Sequence, residues 1–231
     1  MKIAIVGAGG VGGYFGGRLL AAGADVRFLA RGAHLDAMRT IGLRIESPKG
    51  NVHLPRVEAT DDPAAIGPSD VVFFTVKLYD SESAIGALKP LLGPDTVVIP
   101  FQNGVESVGM LTRAIGADHT AGGTAYITAV VAQPGLIRHT VMDSLFVGET
   151  DGRPTARLEV VVKTRPAQAA PAASRGRAQI VLTVFRPIAD WLWAASRCRT
   201  SRSLVSRDSR QRRTAWLAFY RVKFSIKWVV L

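Results

Sequence analysis

The first twelve residues constrain the chain most. Met1–Val6 reads MKIAIV, a short run of β-branched and apolar residues. Gly7, Gly9 and Gly12 follow at once in the spelling GAGGVG, and then YFGGRLLAAG reads as a helix ending at Gly23. A glycine triplet alone is weak evidence, but strand, glycine turn and helix in that order give it meaning. Gly7 permits the tight turn, Gly9 keeps side-chain atoms away from an approaching pyrophosphate, and Gly12 lets helix and strand pack closely. The helix N-terminus adds free N–H groups and a partial positive charge. The whole turn, Gly7, Ala8, Gly9, Gly10, Val11 and Gly12, is therefore the expected phosphate-binding element of a dinucleotide site.

Alternating signals follow. Asp25–Ala30 (DVRFLA) reads as a second strand, Ala33–Thr40 as a short helix, and Leu43–Glu46 with Asn51–Val57 as a hairpin around SPKGN. Asp61–Ile66 reads as a helical turn with Pro63 near its start. Asp70–Val76 (DVVFFTV) is a continuous apolar run, the signature of a strand buried on both faces of a parallel sheet. Ser81–Leu88 is a helix candidate, Thr96–Pro100 a strand and Val105–Ile115 a helix ended by Gly116. Thr124–Ala132, Gly135–Thr140 and Ser144–Gly148 read as extended segments around a Gln133–Pro134–Gly135 turn, a hairpin expected to close the sheet's edge. Together these predict an α/β fold, a Rossmann-like doubly wound parallel sheet, with ligands at the carboxyl ends of the strands.

Four features fall at such ends: the glycine turn, Arg31, Lys77 and Asn103. A site for NAD places a carboxylate near the position of Arg31 to accept the ribose 2′-hydroxyl. A guanidinium there pairs instead with a 2′-phosphate, so Arg31 points to NADP. Each residue also has an ordinary alternative, a solvated loop arginine or lysine and an Asn-Gly turn. His139 reads as a structural strand residue rather than a base, and His34, His53 and His119 have no metal-like spacing.

Composition limits the remaining possibilities. At 231 residues the chain holds one good core, or one domain plus part of another. No apolar run approaches the roughly 18 residues of a membrane span. Glycines interrupt the N-terminal apolar stretch, so secretion is not expected. Cys198 is the only cysteine, which excludes an intrachain disulfide and fits a cytoplasmic protein. The net charge of +11 is unevenly placed. Residues 1–159 carry 14 basic against 16 acidic residues, a net −2, whereas residues 160–231 carry 15 against two, a net +13.

GAGGVG, LARG after the second strand, FTVKLYD, FQNGVES, GTAYITA and the PGLIRH hairpin, in this order, closely resemble the ketopantoate reductase (2-dehydropantoate 2-reductase) family over residues 1–159. The resemblance implies NADPH-dependent reduction of 2-dehydropantoate, a small 2-oxo acid, to pantoate in coenzyme A synthesis. Reduction of another small 2-oxo acid, or a non-catalytic NADP-binding module, are the alternatives. It also implies cofactor contacts by Gly7, Gly9, Gly12, Arg31, Lys77 and Asn103, with a backbone contact from Ala129 in the TAYITA block.

The family's helical C-terminal domain, with its catalytic lysine in an R-x-x-x-W-x-K-like segment, has no recognisable counterpart. Lys163, Lys223 and Lys227 lie in other contexts, and no glutamate follows Glu159. The catalytic residues are therefore unassigned. Segment 160–231 is Arg- and Ser-rich, with an apolar stretch at Ile180–Ala195 that Pro187 interrupts. Poor core material of this kind points to local disorder. Three origins fit: a frameshift near codon 160, a basic tail for nucleic acid or anionic lipid, or a divergent cap domain. The frameshift is the reading favoured by an Arg-rich, glutamate-free composition, and nucleic acid is not an expected partner.

Overall fold

The computed structural model describes residues 1–152, 155, 157, 158 and 161, and the backbone of 181–184. The first sheet is wholly parallel. It contains β1 (Lys2–Val6), β2 (Asp25–Leu29), β5 (Glu58–Thr60), β6 (Val71–Phe74) and β7 (Val97–Pro100), in the order β5-β2-β1-β6-β7. The chain runs outward from β1 through β2 to one edge, then returns to β6 on the other side of β1. The crevice between β1 and β6 is thus the point where strand order reverses, the place where such sheets hold ligands.

Alternation along these strands builds two cores. Ile3, Ile5, Val71, Phe73, Val97 and Ile99 point to one face. Ala4, Val6, Val72, Phe74 and Val98 point to the other, where they meet Ile66, Leu88, Leu91 and Leu111. Every residue of β6 and β7 is buried, which is why VVFF and VVIP show no polar alternation in sequence. Ile66 belongs to α3 (Pro63–Ile66) and Leu111 to α5 (Glu106–Ile115). Asp62 caps α3 by accepting from the Ala64 N–H at 2.9 Å, and Pro63 takes the first helical position.

The second sheet differs from the expectation. The hairpin of β8 (Gly122–Gln133) and β9 (Leu136–Gly148) does not extend the first sheet. It joins the hairpin of β3 (Leu43–Glu46) and β4 (Val52–Leu54) in a separate sheet of order β10-β9-β3-β4, with β8 antiparallel to β9. Here β3 runs parallel to the start of β9, and the backbone of β10 (Val181–Val184) runs parallel to its end. Just before β8, Thr120 makes an isolated parallel bridge to Val98 of β7. The physical reason is α1 (Gly10–Ala21), whose Gly12–Leu19 stretch is buried throughout. A helix buried on all sides needs a second layer, and the two hairpins supply it.

Glycines let α1 lie between the sheets. An added Cβ at Gly16 would stand 2.6 Å from Phe28 and 2.8 Å from Ile5 in the first sheet. One at Gly17 would stand 2.7 Å from Ile45 in the second. Both hairpin strands are longer than the separate segments expected from sequence. Around the expected break, Ile127 pairs Asp143, Thr128 pairs Val141 and Ala129 pairs His139. Thr140 and Met142 are therefore extra residues in β9, and Met142 takes a φ of 59°. Two successive bulges restore the alternation, so His139 and Asp143 are both buried while Val141 and Met142 are exposed.

Other boundaries moved by a residue or two. The expected helix over Ser81–Leu88 is a 3-10 turn at Leu78–Asp80, then α4 (Ser81–Gly86), then a second 3-10 turn at Lys89–Leu91. The short edge strand β5 was hidden inside a mixed Glu-Ala-Thr segment. Between β2 and β3, α2 (Gly32–Thr40) forms as expected. Leu158 and Val161 are buried in the same core as Ile137, Leu145 and Val147. The irregular basic segment expected over 160–231, with its boundary at 159/160 and most of Ile180–Ala195, lies outside the described residues. Val181–Val184, within that last stretch, is strand.

Candidate functional site

The glycine turn is held from below. Gly7 has a φ of 97°, open to glycine at little cost, and an added Cβ would also press on Val76 at 2.9 Å. The Gly7 N–H donates to Leu29 O at 3.0 Å. The Thr75 hydroxyl donates to Gly7 O at 2.7 Å, with Val6 O at 3.0 Å. Gly12 lies behind the turn, where a Cβ would collide with Gly7 O and Thr75 Oγ1. Gly9 is the opposite case: a Cβ there would meet nothing within 4 Å. Gly9 is also the N-cap of α1, with no side-chain cap and no acidic residue in the first turn. The first-turn amides therefore face open space, an arrangement suited to an anion.

That space is a cleft of about 770 Å³ along the carboxyl ends of β1, β2, β6 and β7. Gly7, Ala8, Gly9, Gly10, Val11, Arg31, Lys77, Asn103 and Ala129 all line it. Gly12 does not; it is the glycine on which helix and strand pack. Ala129 reaches the cleft because its carbonyl sits against Gly10, where a Cβ would strike it. The second sheet thereby forms one wall above the helix N-terminus.

Charge gathers at one end of the cleft. Arg31 is the N-cap of α2, its side chain is 76% exposed, and its guanidinium meets Asp80 at 2.9 Å. Lys77 is exposed at the end of β6 and makes no ion pair among the described residues. Asp61, also on the wall, is bound by Arg39 at 3.0 Å.

Three further residues were not singled out from sequence. Gln102 donates from Nε2 to Val76 O and to Ser81 Oγ, both at 2.8 Å, leaving its buried Oε1 with no partner. His34 Nδ1 accepts from the Gly135 N–H at 3.1 Å, so its proton sits on the buried Nε2. Burial holds His34 below the usual imidazole range, against an opposing pull from the Ala8 carbonyl. Both lie on the cleft, and the unmet Gln102 Oε1 fits a site made for a polar ligand. Thr75 is the third, and the only sequence signal for it was a hydroxyl ending an apolar strand beside the turn.

His139 is structural, as its sequence context suggested. Its Nδ1 accepts from Ser47 Oγ at 2.8 Å and its Nε2 donates to Met142 O at 2.6 Å. Its ring packs on Tyr14 at 4.4 Å. Nearby, buried Asp143 takes Lys49 as its ion partner, with the Tyr14 hydroxyl at 3.4 Å. Burial raises the Tyr14 phenol above its usual range, and Arg18 only partly offsets this. This cluster lies between α1 and the second sheet, away from the cleft. Among the described residues no group of three or more His, Cys, Asp or Glu could hold a metal ion. None of their helices is long and apolar enough to cross a membrane.

A parallel sheet with a glycine turn, an uncapped buried helix and a cleft at the strand-order reversal defines a Rossmann-like α/β domain. The family model described as ketopantoate reductase PanE/ApbA matches residues 3–152, and the chain belongs to that family. An oxidoreductase of Bacillus subtilis, YkpB, is 37% identical over 163 residues, covering 70% of this chain and 53% of its own length. A 2-dehydropantoate 2-reductase of Mesorhizobium japonicum is 32% identical over 184 residues, covering 71% and 56%. The crystal structure of 2-dehydropantoate 2-reductase from Geobacter metallireducens superposes with a TM-score of 0.72 at 28% identity, covering 84% of this chain and 61% of that one. The chain thus spans about half the length of the curated relatives it matches.

Proposed function

We propose that this chain carries the NADP-binding half of a ketopantoate reductase, acting in the cytoplasm in pantothenate and coenzyme A synthesis. When bound, NADPH supplies the hydride that reduces the carbonyl of 2-dehydropantoate. One observation carries the reading: nine of the ten residues singled out from sequence line a single cleft. The α1 amides beyond Gly9 would hold the pyrophosphate, and Arg31 with Lys77 would hold the 2′-phosphate. The free Gln102 Oε1 would accept from a ligand donor, and Ala129 would close the wall. Asn103, exposed at the rim, would orient the substrate edge.

Carbonyl reduction also needs a donor that stabilises and then protonates the oxygen. The family's catalytic lysine segment has no recognisable counterpart in this chain, and the general acid is unassigned. NADPH oxidation by the purified chain with 2-dehydropantoate, and nucleotide binding on the same sample, test the proposal. NADPH binding tighter than NADH is the expected result, and turnover with it would mean that residues beyond the cofactor-binding half supply the acid. Turnover only with another small 2-oxo acid would replace the substrate. Binding without turnover would reduce the reading to an NADP-binding module, and absence of binding would overturn it.

A further inference from the structure

The Arg31–Asp80 pair crosses the charged end of the cleft. Arg31 stands after β2, and Asp80 ends the 3-10 turn that follows Lys77 after β6. Asp80 is 27% exposed and lines the cleft, whereas Arg31 is 76% exposed and lies on its rim. The guanidinium assigned to the 2′-phosphate is thus already engaged by a carboxylate inside the site. Lys77 is the other cation here, and it has no acidic partner among the described residues. Asp61 is the other carboxylate, and Arg39 neutralises it.

We infer that Asp80 is a specificity-determining residue: it competes with the cofactor's 2′-phosphate for Arg31 and so lowers the preference for NADP over NAD. The inference rests on the proposed NADP site. A phosphomonoester carries close to two charges and offers three acceptor oxygens, so it outcompetes one carboxylate. An exposed ion pair is weak enough to break during binding. NAD has only a 2′-hydroxyl there and does not need the guanidinium, so the cost falls on NADP alone.

The test is titration of the full chain with NADPH and with NADH, for the wild type, Asp80→Asn, Arg31→Ala and the double variant. Asp80→Asn is expected to tighten NADPH roughly three- to tenfold and to move NADH less than twofold. In the Arg31→Ala background most of that gain should vanish. Melting temperatures within a few degrees of wild type would confirm that the variants fold. NADPH affinity unchanged or weakened in Asp80→Asn, with wild-type binding intact, overturns the inference alone. So does an equal gain for NADH, or a gain undiminished without Arg31. If neither nucleotide binds wild type or Asp80→Asn, the proposed function fails and this inference with it.

Discussion

The two faces of α1 are both lined with glycine, yet they are built differently. Toward the first sheet, Gly12 abuts the Gly7 carbonyl and Thr75, fixed parts of the turn. Toward the second sheet, Gly17 abuts the ends of the Ile45 and Leu43 side chains. The Gly12 contact includes backbone and cannot yield. The Gly17 contact is with rotatable methyl groups and can. The first contact sets the height of the turn above β1, and with it the geometry of the cleft. The second only fills space and leaves its position to the polar cluster around Asp143.

Paired substitutions break this comparison most sharply. Gly12→Ala forces α1 away from the turn and is expected to cost about 3 kcal/mol or more, enough to unfold a marginal domain. Gly17→Ala brings a Cβ to 2.7 Å from Ile45 Cδ1, which a rotamer change relieves. Alanine also gains about 1 kcal/mol over glycine in helix propensity. The two effects nearly cancel, and Gly17→Ala should stay within about 1 kcal/mol of wild type. Urea denaturation of both variants measures this. Equal losses would show that the Gly17 contact is as rigid as the Gly12 contact.

The second face is sharpened by its polar contacts. Asp143→Ala leaves Lys49 able to reach water, because that side chain is 46% exposed. Tyr14 cannot do so: it is fully buried, and its hydroxyl loses its acceptor. The expected cost is about 1–3 kcal/mol, the usual penalty for a stranded buried donor. Tyr14→Phe removes that donor, so adding it to Asp143→Ala should recover part of the loss. A double-mutant cycle by thermal unfolding measures the coupling, and strict additivity would mean that Tyr14 and Asp143 act independently.

The same contrast explains what the sequence made legible. The first sheet could be read because its signals are local: a β-branched run, a glycine turn, and apolar stretches buried on both faces. Arg31, Lys77 and Asn103 could be placed because each stands at the end of such a run. The second sheet was misplaced because its partners are far apart in sequence. Strand β3 near residue 45 pairs β9 near residue 137, and nothing local announces that register. The interruption at Thr140 and Met142 looked like a strand break because bulges disturb alternation without ending pairing. Gly13, Gly16 and Gly17 carried a usable hint, since a helix with glycine on two faces has neighbours on both. Gln102, His34 and Asp80 escaped because their importance lies in unmet or competing contacts, which spacing does not encode.

Gly9 isolates the cofactor face from the fold. A Cβ there meets nothing within 4 Å, and its φ of −68° suits any residue. Gly9→Ala should therefore cost less than about 1 kcal/mol of stability, the modest penalty of alanine at an N-cap. The added methyl nevertheless projects into the space assigned to the pyrophosphate, so nucleotide affinity should fall at least about tenfold, equally for NADPH and NADH. That equality matters, because Arg31→Ala should weaken NADPH alone. Calorimetric titration beside a melting curve decides the matter. Loss of stability with binding retained would reverse the roles given to Gly9 and Gly12. Binding lost for NADPH but not for NADH would move the pyrophosphate away from the helix N-terminus and leave Arg31 and Lys77 as the anion contacts.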